Sequence, residues 1–186
     1  MPGRTPGRVL QKTHGREKIM AQNYTSKDTS INRTKLPSIY RKLGDKIRGK
    51  RILDYGCGKY VDHIEKYLDS MQCYAFFYDP YNRSVEENYK WVSACGFQQD
   101  DVSICSNVLN VIDDEKTIIE IIHVLGFFAK DAYITVYEGD KSGRGRQTGK
   151  DQYQRNEKAA AYLERIRNLG YWAEMKNGVI HMRREK

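Results

Sequence analysis

Asp54-Tyr55-Gly56-Cys57-Gly58 lies between a short apolar run and a helical pattern, and its two glycines let the backbone turn tightly and approach a ligand closely. Asp79 ends a second apolar run 25 residues beyond Asp54. An acid at that place can accept both hydroxyls of a ribose. Ser106, Asn107 and Asn110 follow a third run, and their hydroxyl and amide groups suit hydrogen bonding to an amine or hydroxyl that is to be positioned for reaction. Asp113 and Glu138, beyond strand ends, are candidate bases for a reactant that must lose a proton. Structural alternatives stand beside these roles: Asp54 can cap a turn, and Asn107 and Asn110 can cap a loop and a helix. Cys57, Cys73, Cys95 and Cys105 form no CxxC pair, and His14, His63, His123 and His181 lack ligand spacing. Neither a metal site nor a disulfide scaffold is therefore expected. Cys105 follows Ile104 and is expected to point into the core rather than act as a nucleophile.

The elements that must carry these residues alternate between short apolar runs and helical patterns. Leu36, Ile39, Tyr40, Leu43 and Ile47 share a helical face, with Thr34 as N-cap and Gly49 as stop. Strands are expected at RILDYG, CYAFFYDP, DVSICS and AYITVYEG, with helices over 61–70, 84–94, from Asp113-Asp114-Glu115 to Phe128, and over 154–168. Only CGFQQ separates the second of these helices from the strand after it, so a third parallel strand is short or absent. YWAEMK and VIHMRR flank Asn177-Gly178, a strong hairpin signal. The expected fold is α/β and Rossmann-like: a mostly parallel sheet with helices on both faces and a C-terminal antiparallel hairpin. Ligands of such sheets bind beyond the carboxyl ends of the strands, where the strand order reverses. The glycine loop KSGRGRQTGKD opens on that side, and Arg144, Arg146 and Lys150 give it a phosphate-seeking character, as a substrate lid or as a solvated loop.

With 186 residues, 39% hydrophobic and 30% charged, the chain suits one globular domain. No apolar run has the length of a membrane helix, and MPGRTPGRVLQK lacks the apolar centre of a secretory signal, so a cytoplasmic protein without membrane contact is expected. Met20 offers a second possible start. Residues 1–50 hold 13 Lys and Arg against three acids, a net of +10, whereas residues 51–186 carry −2. Residues 1–22 read as a basic flexible arm and 23–186 as the domain. Such an arm suits contact with nucleic acid, because neutralised phosphates release counterions, or it is a solvated tail. Tyr24, Tyr40, Tyr55, Tyr60 and Tyr81 are candidates to line a pocket, or ordinary packing residues.

ILDYGCG, YDP, DVSICSNVLNVI and the closing NG hairpin, in that order, resemble the class I S-adenosylmethionine-dependent methyltransferases over residues 35–186. The resemblance implies a cofactor, S-adenosylmethionine, held by Asp54, Tyr55, Gly56, Gly58, Asp79, Pro80, Ser106 and Asn107, with the ribose on Asp79. It implies that the end of the SNVLNVI strand lies against the transferred methyl group, with Asn107 and Asn110 as acceptor-positioning candidates. Tyr60 stands where the family often has a third glycine, and Ser106-Asn107-Val108-Leu109 stands where amino-directed DNA enzymes carry Asp/Asn-Pro-Pro-aromatic. TSINRTKLPSIYRKL together with SNVLNVI is similar to small methyltransferase-like proteins associated with phage genomes and DNA modification. Three functions follow as expectations: methyl transfer to nucleic acid or an associated substrate, methyl transfer to a small molecule or protein, and non-catalytic binding on a methyltransferase-like scaffold.

Overall fold

The computed structural model describes residues 22–29, 33–94 and 102–184. Its centre is a six-stranded sheet built from β1 (Arg51–Tyr55), β2 (Tyr74–Tyr78), β3 (Val102–Ser106), β4 (Asp131–Thr135), β7 (Tyr171–Lys176) and β8 (Val179–Arg184), in the order β2-β1-β3-β4-β8-β7. The first four strands are mutually parallel, and β8 runs antiparallel to both β4 and β7. The chain leaves β1 for β2 on one side and returns through α3 (Val85–Ala94) to β3 on the other. The strand order therefore reverses between β1 and β3, and a crevice opens beyond their carboxyl ends.

The period-two alternation of the strands divides the core. Leu53 and Tyr55 of β1, Cys105 of β3, Ile134 of β4 and Met182 of β8 pack with α4 (Glu115–Phe128) and α5 (Ala159–Asn168). Ile52, Ile104 and Tyr133 pack on the other face with α1 (Ser38–Leu43) and α2 (Asp62–Ser70). Asp114 caps α4 by accepting the Thr117 N–H at 2.7 Å, which satisfies one orphan donor and sets a negative charge on the positive helix end. Asn177 and Gly178 both take positive φ, 53° and 71°, and join β7 to β8 by the two-residue turn that their sequence predicts.

Several boundaries differ from the sequence reading. α1 begins after Pro37 rather than at Thr34, because the residue before a proline is held out of helical geometry. The helix expected over 154–168 begins at Ala159. Gln154 instead pairs with Arg146 in a separate hairpin, β5 (Arg146–Gly149) and β6 (Gln152–Gln154). The glycine-rich loop is thus partly β-structure. The short CGFQQ segment, where a further strand would stand, lies outside the described residues, as does the basic arm apart from Gln22. No helix among the described residues is long and apolar enough to cross a membrane.

Gly126 of α4 faces β7, and a Cβ there would lie 2.5 Å from Cε1 of Tyr171. Alanine favours a helix by about 1 kcal/mol over glycine, whereas overpacking costs about 1–3 kcal/mol. Gly126→Ala is expected to lower stability by about 1 kcal/mol, the middle of that difference, seen as a fall in the urea midpoint. An unchanged midpoint would mean that Tyr171 moves aside freely.

Candidate active site

Tyr55 ends β1 and turns to one face of the sheet, and Gly56 and Gly58 follow with φ of 74° and 75°. The turn is held from inside the chain. The N–H groups of Gly56 and Cys57 donate to the Tyr78 carbonyl at 2.7 and 3.2 Å, and the Gly58 N–H donates to Asp79 Oδ2 at 2.9 Å. A Cβ on Gly56 would stand 2.3 Å from Cγ2 of Val108, so glycine here lets the loops after β1 and β3 meet across the crevice.

Asp79 is buried at the end of β2, and the chain supplies its carboxylate with four donors. Besides Gly58 on Oδ2, Oδ1 accepts from the Tyr81 N–H at 2.9 Å, the Asn82 N–H at 2.8 Å and Asn82 Nδ2 at 3.2 Å. Pro80, Tyr81 and Asn82 are thereby folded into a tight turn on the cavity wall. An ionised carboxylate offers about four lone-pair directions, so Oδ2 keeps one for a ligand. One ribose hydroxyl, not two, can be taken without moving Gly58. Asn88 of α3 braces the main chain here: its Oδ1 accepts the Asp79 N–H at 3.0 Å and its Nδ2 donates to the Asp79 carbonyl at 2.9 Å. Sequence reasoning did not single out Asn88. Its signal was a short amide inside a helix, a place where such residues are unfavourable unless they bond elsewhere.

A cavity of about 1410 Å³ runs from this turn across the ends of β3 and β4. It brings together Tyr55, Gly56, Gly58, Asp79, Pro80, Ser106, Asn107, Asn110 and Arg146 of the residues predicted from sequence. Asp54, Arg144 and Lys150 are not on its wall. Asp54 alternates with Tyr55, so it lies beneath the turn on the α1 and α2 side, only 2% exposed. Burial pushes its carboxyl up to about 7, opposed by the Tyr40 hydroxyl, helped by Asp79 and opposed again by Arg83. Tyr40 is fully buried, and its hydroxyl faces the Asp54 carboxyl without completing a hydrogen bond of good geometry among the described residues. Arg144 is exposed on the loop before β5, and Lys150 is exposed at the β5–β6 turn.

Asn107 takes φ of 57°, and its N–H donates to the Thr135 carbonyl at 2.8 Å, leaving its side chain exposed at the cavity. Ser106 Oγ lies 3.3 Å from Thr135 Oγ1. Asn110 is buried and engaged: Nδ2 donates to Gln154 Oε1 at 3.2 Å, and Oδ1 accepts the Tyr137 N–H at 3.3 Å. That amide ties the loop after β3 to the β5–β6 hairpin. The two candidate bases are also occupied. Glu138 accepts the Ala159 N–H at the start of α5 at 2.7 Å and pairs with Lys141 at 3.0 Å, contacts that hold its carboxyl below the usual range. Asp113 lies off the wall and accepts the N–H and the amide of Asn23.

The cavity has a roof that the sequence did not announce. Residues 22–29 cross the hairpin: Thr25 bonds the Asp151 carboxylate through its N–H at 2.9 Å and through its hydroxyl, and the Ser26 N–H donates to the Asp151 carbonyl at 2.9 Å. Tyr24 stacks on Tyr153 with ring centroids 5.5 Å apart. Of the tyrosines considered above, Tyr55 and Tyr81 reach the cavity wall. His63 bonds the Arg33 carbonyl and His123 bonds Tyr171, both as packing or surface groups. Cys105 is fully buried, and burial pushes its thiol far up, which suits a core residue.

No protein-family model matches the chain, and no curated protein matches it by sequence. Among solved structures, the sugar N-methyltransferase KedS8 from Streptoalloteichus sp ATCC 53650 has a similar fold, with a TM-score of 0.50 over 84% of this chain and 97% of that one. The two are 12% identical, a level at which the likeness speaks for the fold.

Proposed function

We propose that the chain is an S-adenosylmethionine-dependent methyltransferase with its cofactor at the Asp79 side of the cavity and its methyl acceptor under the roof. The observation that carries this reading is the wall at the strand-order reversal: Asp79 with one acceptor direction left, beside Gly56, Gly58, Tyr81, Ser106 and Asn107. This donor and acceptor set fits a nucleoside with a charged tail. The carboxylate of Asp79 would take a ribose hydroxyl, the ring of Tyr81 would border the base, and Ser106 and Asn107 would border the methyl-bearing end. When bound, the cofactor supplies a methyl group: its carbon–sulfur bond breaks with the electron pair going to sulfur, and an acceptor lone pair forms the new bond. The protein contributes position and a dry site, an entropic advantage that can be large. Asn107, the exposed amide nearest the end of β3, would orient the acceptor. With Glu138 and Asp113 both occupied, an acceptor amine would release its proton to solvent rather than to a carboxylate of the wall.

Charge supports an acidic acceptor, and the net of +10 over residues 1–50 favours one associated with nucleic acid. Transfer of a tritiated methyl group from S-adenosylmethionine to DNA, RNA, protein or metabolites tests the enzymatic reading. Counts on at least one acceptor class, lost with Asp79→Ala, are the expected result. Saturable cofactor binding with no transfer to any class would replace the enzyme by a binding protein on the same scaffold.

A further inference from the structure

We infer that the acceptor carries a phosphate group, held by Lys27, Lys35 and Arg146 under the roof of the cavity. The inference rests on the methyltransferase reading for the word acceptor, and on the wall's own charges for the phosphate. At about 1410 Å³ the cavity exceeds the roughly 300–1,000 Å³ of a single-ligand pocket, so a second molecule fits beside a cofactor.

The acids of the wall are engaged by their own chain, Asp79 keeping one acceptor direction on Oδ2. Asp79 has its four donors, Glu138 has the Ala159 N–H and Lys141, and Asp140 accepts the Ser142 N–H at 2.9 Å. Of the wall's cations, Lys141 pairs with Glu138, and Arg41 and Lys42 donate to the Leu36 and Asn177 carbonyls. Lys27, Lys35 and Arg146 are exposed and form no ion pair among the described residues, although Arg146 helps to hold the Asp140 carboxyl low and Lys27 that of Asp151. They come from three separate segments: the crossing strip 22–29, the stretch before α1, and β5.

The main-chain segments that carry two of the three are tied together. Ser26, next to Lys27, donates its N–H to the Asp151 carbonyl at the β5–β6 turn, and its Oγ accepts the Tyr153 N–H at 3.2 Å. Tyr153 in turn pairs with Gln147, the residue after Arg146. Cations along one partly enclosed wall raise its positive potential, and a guanidinium offers a phosphate two parallel N–H donors. A dianion with three acceptor oxygens matches three separate cations better than a carboxylate does.

Calorimetry on the full chain, with S-adenosylhomocysteine titrated first, separates this inference from the reading it rests on. Inorganic phosphate, uridine 5′-monophosphate, uridine and a single-stranded oligonucleotide are then titrated with that compound present. The monophosphate is expected to bind at least tenfold more tightly than uridine, and Lys27→Gln with Arg146→Gln is expected to remove that difference while S-adenosylhomocysteine affinity stays unchanged. With that tenfold difference in place, binding of the mononucleotide as strong as that of the oligonucleotide identifies a small phosphorylated acceptor, whereas much tighter binding of the oligonucleotide identifies a nucleic-acid strand. Equal affinity for uridine and its monophosphate, or full retention in the double variant, overturns the inference. Because both side chains are exposed, the variant should melt as the wild type does; Lys35→Gln gives an independent check.

Discussion

Asp79→Ala is expected to weaken S-adenosylhomocysteine binding by about 100-fold or more, because a hydrogen bond from ligand to carboxylate is worth about 1.5–3 kcal/mol and its loss also releases the turn that shapes the site. The carboxylate gathers the Gly58, Tyr81 and Asn82 N–H groups, so its removal leaves several donors without an acceptor. Destabilisation and lost affinity must therefore be separated. Asp79→Asn does this. Its single carbonyl oxygen can still accept from Tyr81 and Asn82, which keeps the turn. Its NH2 then faces the Gly58 N–H and the ligand, where an acceptor is needed. The asparagine variant is expected to lose less stability than the alanine variant, since only the Gly58 N–H goes unpaired, and yet to lose affinity by at least tenfold. Wild-type affinity in that variant would contradict the placement of the ribose.

Asp54→Asn is expected to stabilise the ligand-free protein at pH 8 and to leave it nearly unchanged at pH 4. Burial raises the Asp54 carboxyl to about 7 in the folded chain, against an ordinary value near 4 when unfolded. A raised carboxyl favours the native state only while it is protonated. Its contribution is fully present below about pH 4, declines as pH rises through about 7, and then stays flat. The gap between those values corresponds to a loss of roughly 4 kcal/mol, an upper figure for a group with partners such as Tyr40 close by. Asparagine has no charge to bury, so the pH dependence assigned to Asp54 should vanish. Chemical denaturation of both proteins at pH 4, 6 and 8 reads the difference directly. Parallel curves for the two proteins would show that Asp54 is ionised and satisfied in the fold.

Much of this architecture could be read before any coordinates, because its signals are local. RILDY, VSICS and DAYIT bury almost every residue, and Asn177-Gly178 admits few conformations other than its turn. Asp114 before the apolar face of α4 is likewise a cap written in sequence. The β5–β6 hairpin was missed because its residues are mostly polar and none is buried, so no alternation marks them. Gln154 reads as helical by periodicity, yet Asn156 takes φ of 57° and starts α5 afresh beyond it.

The site was legible in part for the same reason. Gly56, Gly58, Asp79 and Ser106 follow strand ends, and strand ends meet at the reversal of the sheet. Which way Asp54 points follows from alternation with Tyr55, a signal that the glycine motif beside it obscured. The bracing of Asp79 by Asn88 and the roof made by Thr25, Ser26 and Asp151 depend on contacts between distant segments, and no spacing in the sequence encodes them. Asn110 illustrates the limit: its position beyond β3 suited an acceptor contact, but its amide is spent on Gln154 and Tyr137.

The central claim, a cofactor site at Asp79, is tested most directly by titrating S-adenosylmethionine and S-adenosylhomocysteine calorimetrically into the full chain. The account predicts saturable binding of one molecule per chain in the micromolar range, about −8 kcal/mol, for both compounds. Absence of binding by protein whose circular dichroism shows it folded would contradict it.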